Sequence, residues 1–191
     1  MRLPHDPAAL RGDYASAEPF PHIVLDGLFE DAELDPVLRD FPPPEAMKWM
    51  RFDNAREKKL GFFHETSAIT GSVRRFLDAM NSFEMLLFLE RLTGIEGLIP
   101  DPYFGGGGLH QIEPGGFLKI HADFNIHPKL KLDRCLNMLI YLNKDWWRST
   151  AAISSWGTPI HASAANRSCR CSIGRSFSPP PIARCTATRI R

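Results

Sequence analysis

Two side chains that could bind one metal ion, His121 and Asp123, stand two residues apart in the middle of the sequence. Because alternate side chains of an extended strand point to the same side, the pair can offer an imidazole nitrogen and a carboxylate oxygen to a single cation. A distant histidine would complete a triad of two imidazoles and one carboxylate, which holds Fe(II) and leaves other coordination positions open. A pair at this spacing is also common among ordinary surface residues, so a metal site can be inferred only from the neighbouring sequence.

The residues around the pair resemble the metal-binding hairpin of the Fe(II)/2-oxoglutarate dioxygenases, and within them the prolyl 4-hydroxylase-like branch. The turn Glu113-Pro114-Gly115-Gly116 precedes the pair, and the strand-like run Leu139-Ile140-Tyr141-Leu142-Asn143 follows it. The likeness is specific from Gly108 to Trp146 and looser back to Pro19. It stops abruptly after Trp146.

The resemblance implies an Fe(II)- and 2-oxoglutarate-dependent hydroxylase in which His121 and Asp123 are catalytic metal ligands. It matches Tyr141 to a position where related hydroxylases place a tyrosine hydroxyl on a carboxylate of 2-oxoglutarate; a core aromatic with a satisfied hydroxyl is the alternative interpretation. The implied small molecules are Fe(II), 2-oxoglutarate, O2 and ascorbate. The implied acceptor is a prolyl or other peptidyl side chain, or a small molecule. The implied fold is a double-stranded β-helix (jelly roll) with flanking helices, a mainly β form of the α+β class.

Composition limits the other functional classes. The 191 residues suffice for one domain with a core, and a net charge of +1 does not suggest a nucleic-acid partner. The first twenty residues contain charged side chains and no apolar run, and no apolar stretch approaches the length of a membrane span. We therefore expect a cytoplasmic protein that does not enter the membrane.

Hydrophobic spacing predicts the supporting elements. Residues 1–18 are expected to form an irregular arm and residues 21–26 a first strand. A helix is expected to open at Asp31 with acidic residues in its first turn. Two apolar helices follow over residues 73–80 and 82–93, the second ended by a glycine.

Several segments allow both a structural and a functional interpretation. Residues 48–63 are interpreted as a solvated connector, with a basic rim for an acidic substrate as the alternative. Residues 100–108 are interpreted as a mobile loop near the mouth of the site. His110 and His127 are possible third metal ligands, although both are close to the motif in sequence. Cys135 is interpreted as a buried structural thiol.

The sequence changes character after Asp145, beyond which there is no Asp or Glu. A disordered basic tail, a small Cys/His metal site and translation out of frame are the three explanations. Codons built from the third base of each residue and the first two of the next permit Gly-Gly-His-Leu-Glu-Leu, Asn-Arg, Val-Val-Phe-Ser and His-Gly-His-Pro, in the order that the dioxygenase family uses. The codon across Cys185 and Thr186 then encodes His or Tyr, the position of the distal iron ligand. Loss of one G at the codons of Trp146 and Trp147 would produce the tail.

These observations divide the chain into an arm (1–18), the N-terminal and central part of an oxygenase domain (19–147) and a disordered out-of-frame tail (148–191). The C-terminal strands of the jelly roll are then missing or scrambled, and the chain as written is expected to be inactive. The alternative function is a non-catalytic oxygenase remnant that serves as a binding module.

Overall fold

The computed structural model describes residues 3–62, 66–104, 107–119, 125–143, 170–175 and 185–190. Its helices are α1 (Pro7–Ser16), α2 (Asp31–Arg39), α3 (Gly71–Met80) and α4 (Phe83–Thr93), with a 3-10 turn at Thr66–Ala68. Its strands are β1 (His22–Asp26), β2 (Met50–Asp53), β3 (Glu57–Phe62), β4 (Leu109–Gln111), β5 (Phe117–Leu118), β6 (Asp133–Tyr141), β7 (Arg170–Arg175) and β8 (Cys185–Ile190). The α+β class is confirmed.

The strands form two open sheets. The first has the order β1-β7-β6-β8, in which only the β6–β8 pair is parallel. The second has the order β2-β3-β4, with β5 also paired to β3, and it is antiparallel throughout. Neither sheet closes on itself within the described residues, so each has edge strands with backbone groups open to further pairing.

Helices α1 and α4 begin at residues whose side chains accept hydrogen bonds from free backbone amides. Asp6 accepts a hydrogen bond from the Ala8 amide at the start of α1, and Pro7 takes the first helical position. Ser82 accepts a bond from the Met85 amide at the start of α4, and Gly94 ends that helix in the left-handed conformation with φ of 70°. The bounds of α4 therefore follow from its local sequence.

Two apolar cores hold the sheets against the helices. The first core joins α1 and α4 to the first sheet, and its members include Tyr14, Leu89, Leu92, Leu136 and Ile173. The second core lies between the second sheet and the α2–α3 region, and its members include Val37, Trp49, Leu60, Phe62 and Val73. Phe76 of α3 packs against both cores, which makes α3 a shared wall.

A buried hydroxyl joins α2 to α3. Ser72 Oγ lies 2.6 Å from Asp40 Oδ2 and 2.8 Å from the Pro36 carbonyl oxygen. The hydrogen bond from Ser72 is the largest influence on Asp40 and holds the pKa of that carboxyl below its ordinary value. The pair therefore favours the ionised carboxylate in the folded chain.

Two stretches differ from the sequence-based expectation. The arm contains helix α1, because Tyr14 is buried in the first core and Asp6 caps the helix. Residues 48–63 are not a solvated connector: they contain the β2–β3 hairpin, which presents Leu60 and Phe62 to the second core. The hairpin was missed because only a few of its side chains are buried.

Two further findings concern the later part of the chain. The structure describes strands at residues 170–175 and 185–190, where a disordered tail was expected; the reading frame of that tail stays a prediction. Cys135 is not a free thiol, because its sulfur is in a disulfide. None of the helices in the described ranges combines the length and apolarity needed to cross a bilayer.

Candidate functional site: the supports of the His121–Asp123 segment

Strands β4 and β5, which lead to the candidate metal ligands, both pair with β3. Leu109, His110 and Gln111 of β4 pair with Phe62, Gly61 and Leu60. Phe117 and Leu118 of β5 pair with Lys58 and Glu57 further along the same strand. Both segments run in the same direction against β3, so β5 continues the line of β4 after an interruption.

The interruption is a bulge at residues 112–116. Gln111 pairs with Leu60 and Phe117 pairs with Lys58, so the five residues 112–116 lie opposite the single residue Lys59. The segment from β4 to β5 therefore holds four more residues than β3 at this point. Because four is an even number, the alternation of faces is kept across the bulge. Gln111 and Phe117 consequently lie on the same face of the second sheet.

Two glycines allow the bulge to form. Gly115 has φ of +78°, a conformation that side chains with a β-carbon rarely adopt. A β-carbon on Gly116 would lie 2.7 Å from the Lys58 carbonyl oxygen and 2.9 Å from that of Glu113. The turn Glu113-Pro114-Gly115-Gly116 is therefore the place where the chain passes closest to β3.

The approach to the motif is fixed as far as Lys119. The Lys119 amide donates a 2.9 Å hydrogen bond to the Arg56 carbonyl oxygen, which extends the pairing of β5 with β3. Asn54 supports the facing β2–β3 turn by accepting bonds from the Arg56 and Glu57 amides. His121 and Asp123 follow immediately, within residues 120–124, and lie outside the described residues.

The exit from the motif is a short antiparallel ladder. The Arg134 amide donates to the Asn125 carbonyl oxygen at 2.9 Å, and Ile126 forms an isolated bridge with Asp133. The His127 amide donates to the Leu132 carbonyl oxygen, also at 2.9 Å. Residues 125–127 therefore pair with the beginning of β6 across a tight turn at 128–131.

His127 stabilises that turn with its imidazole ring. Its Nδ1 accepts hydrogen bonds from the Lys129 amide at 3.1 Å and the Leu130 amide at 3.0 Å. This arrangement leaves Nδ1 unprotonated and places the proton of the neutral ring on Nε2. The ring is 1% exposed, and both nitrogens face the protein, so the structure gives His127 a structural role and does not support it as a third metal ligand. His110 is exposed on β4.

A buried carboxylate faces the other nitrogen of that ring. Asp101 Oδ2 lies 3.2 Å from His127 Nε2, although the ring N–H points too far from the oxygen to make a well-aligned hydrogen bond. Asp101 Oδ1 accepts a 2.8 Å bond from the Tyr103 amide. The Asn81 side chain donates to the Asp101 carbonyl oxygen at 3.1 Å and accepts from the Asp101 amide at 3.2 Å.

Asp101 was missed from the sequence, where residues 100–108 were expected to be a mobile loop. Asp101 and Phe104 are buried, which shows that the first half of this stretch is anchored. A signal was present: an aspartate two residues before a free backbone amide commonly forms this kind of local turn. Residues 105–106 lie outside the described ranges.

Tyr141 is the last residue of β6 and is half-buried. Alternation along the strand places it on the same face as Asn137, whereas Met138 and Ile140 pack against the first core. Asn137 is buried, and its Oδ1 has no hydrogen-bond partner among the described residues. This face of β6 therefore combines a phenol with a buried amide oxygen.

A complete metal site is not visible in the described ranges, where no three His, Cys, Asp or Glu side chains converge. His121 and Asp123, the two metal ligands predicted from the sequence, lie outside those ranges. No protein-family model, no curated protein and no solved structure matches this chain. The functional assignment consequently depends on the motif and on the elements that support it.

Proposed function

We propose that this chain derives from an Fe(II)- and 2-oxoglutarate-dependent dioxygenase that hydroxylates a prolyl or other peptidyl side chain or a small molecule. The observation that carries the proposal is the His121-x-Asp123 pair on a short segment anchored at both ends. Lys119 is hydrogen-bonded to β3 on one side, and Asn125 is hydrogen-bonded to Arg134 of β6 on the other. Ligands that must hold a metal in fixed geometry require this kind of support from rigid elements.

The available donor types fit part of what the iron and its cosubstrate require. An imidazole and a carboxylate are two of the three ligands of a facial triad, and Tyr141 would hold a carboxylate of 2-oxoglutarate. The Oδ1 of Asn137, which has no hydrogen-bond partner among the described residues, lies on the same face of β6 and favours a polar occupant there. When bound, Fe(II) with 2-oxoglutarate and O2 supplies the hydroxylation of an unactivated C–H bond, while the protein binds and orients the reactants.

The jelly-roll fold is part of the same proposal. A jelly roll closes two sheets around its site, and the two sheets of this chain are open within the described residues. Strands of the restored reading frame would take the places that complete them. In the chain as written, two of the three ligands are present and the distal histidine is absent, so we expect no turnover.

The test compares two genes. One encodes the 191-residue chain, and the other has one G added at the codons of Trp146 and Trp147. We expect the restored protein to consume 2-oxoglutarate in the presence of Fe(II), O2 and ascorbate, and the 191-residue chain to consume none. A soluble, folded restored protein that leaves 2-oxoglutarate unchanged would refute the proposal.

A non-catalytic binding module is the second candidate function. It is favoured by a cleft of about 450 Å³ between α3 and the Asp101 loop. The cleft is lined by Arg74, Asp78, Asn81, Ile99, Pro100, Pro102, Phe104 and Leu130. Resequencing the gene across residues 145–149 separates the two candidates: an additional G restores the enzyme, whereas an unchanged sequence favours the remnant.

A further inference from the structure

A chain of buried polar contacts connects the helices to the exit of the motif. Asn81, at the end of α3, holds the backbone of Asp101 with two hydrogen bonds. The Asp101 carboxylate faces His127, and His127 holds the turn at 128–131 through the Lys129 and Leu130 amides. The contact of Asp101 with His127 joins segments that are 26 residues apart in sequence.

The burial of the pair makes this contact specific. Asp101 is 0% exposed and His127 is 1% exposed. A carboxylate that is removed from water is tolerated when donors and a partner face it, and here the Tyr103 amide and the imidazole do so. The Tyr103 ring lies 6.1 Å from the His127 ring, and Lys129 Nζ lies 4.4 Å from the centre of the Tyr103 ring.

The position of the pair suggests what it does. His127 is four residues beyond Asp123, and it is the last residue of the exit ladder that pairs with β6. One isolated bridge flanked by two backbone hydrogen bonds is a weak attachment by itself, because short antiparallel pairs are marginal in water. The link through Asp101 to α3 supplies a second, buried attachment at this end.

We propose that the Asp101–His127 contact is a clamp that fixes the exit of the motif, residues 125–131, against the Asp101 loop and the end of α3. Asp101 and His127 are positioning residues that act through the backbone of residues 125–131. The clamp controls the order of residues 125–131. Its use for metal binding rests on the proposed function.

The clamp is tested by amide hydrogen exchange of the full 191-residue chain. We expect His127→Gln and Asp101→Asn to speed exchange at residues 125–131 by about tenfold, the change that corresponds to loss of one buried polar contact. Exchange in the β2–β3 hairpin should stay unchanged in both variants. Asp13→Asn, at an exposed carboxylate on α1, is the matched control and should leave both regions unchanged.

Equal acceleration in the hairpin and at residues 125–131 would mean a general loss of stability and would overturn the clamp, as would no change at residues 125–131. Mn(II) titration of the frame-restored protein provides the second measurement, in which His127→Gln should weaken binding about tenfold and Asp13→Asn should not. If the restored protein without substitutions bound no Mn(II), the proposed function would fail, and the exchange experiment would still decide the clamp.

Discussion

Gly116 passes so close to Lys58 that a single added methyl group would lie 2.7 Å from the Lys58 carbonyl oxygen. This approach sets the point at which β5 resumes its pairing with β3.

Replacement of Gly116 by alanine is therefore expected to destabilise the chain by about 1–3 kcal/mol, the range for overpacking a tight site. The measurement is urea unfolding of the 191-residue chain. Gly12→Ala is the control, because a β-carbon at Gly12 meets nothing within 4 Å and the residue lies inside α1. The control should gain about 0.5–1 kcal/mol. Equal stability of the two variants would contradict the close approach.

His121→Ala and Asp123→Ala should each abolish 2-oxoglutarate consumption by the frame-restored protein and weaken Mn(II) binding by at least about a hundredfold, since each removes a proposed direct ligand. His110→Gln should leave both properties within about twofold, because His110 is exposed on β4. Loss of Mn(II) binding in His110→Gln, with binding kept in His121→Ala, would show that the ligands were assigned to the wrong histidine.

Tyr141→Phe separates the two interpretations of that residue. If its hydroxyl holds 2-oxoglutarate, the KM for 2-oxoglutarate in the restored protein should rise about tenfold, as expected for loss of a hydrogen bond to a charged group. Mn(II) affinity without 2-oxoglutarate should not change. An unchanged KM would leave Tyr141 as a core aromatic.

Ser72→Ala tests the link between α2 and α3 through its dependence on pH. Because the Ser72 hydroxyl keeps the pKa of Asp40 below the ordinary value of 3.8, the ionised pair stabilises the fold at neutral pH. That contribution is lost as the pH falls through 3.8 toward the lower folded-state value. Unfolding by urea should therefore show a deficit for Ser72→Ala at pH 7 that shrinks at pH 3. Ser67→Ala, at an exposed position, should show no such trend, and a pH-independent deficit for Ser72→Ala would reject the explanation.

Helices α2, α3 and α4 were predictable because their signals are local, whereas α1 was missed. In α4 the cap at Ser82, the apolar run and Gly94 lie within one short stretch. The β2–β3 hairpin was not predictable in the same way, because most of its side chains, including Arg51 and Lys58, are exposed and only a few apolar residues reveal the buried face. The buried position of Asp101 was harder to predict, because it depends on contacts with His127 and Asn81, which are distant in sequence. The motif itself was visible from the sequence alone, and its geometry stays a prediction.

The bulge at residues 112–116 limits how the length of this segment can change. Four extra residues keep the alternation of β4 in phase with that of β5. Deletion of one residue from the bulge would turn every side chain beyond it to the opposite face of the strand, whereas deletion of two would restore the original faces. Related chains that keep the chemistry of the motif are therefore expected to differ in the length of this turn by an even number of residues.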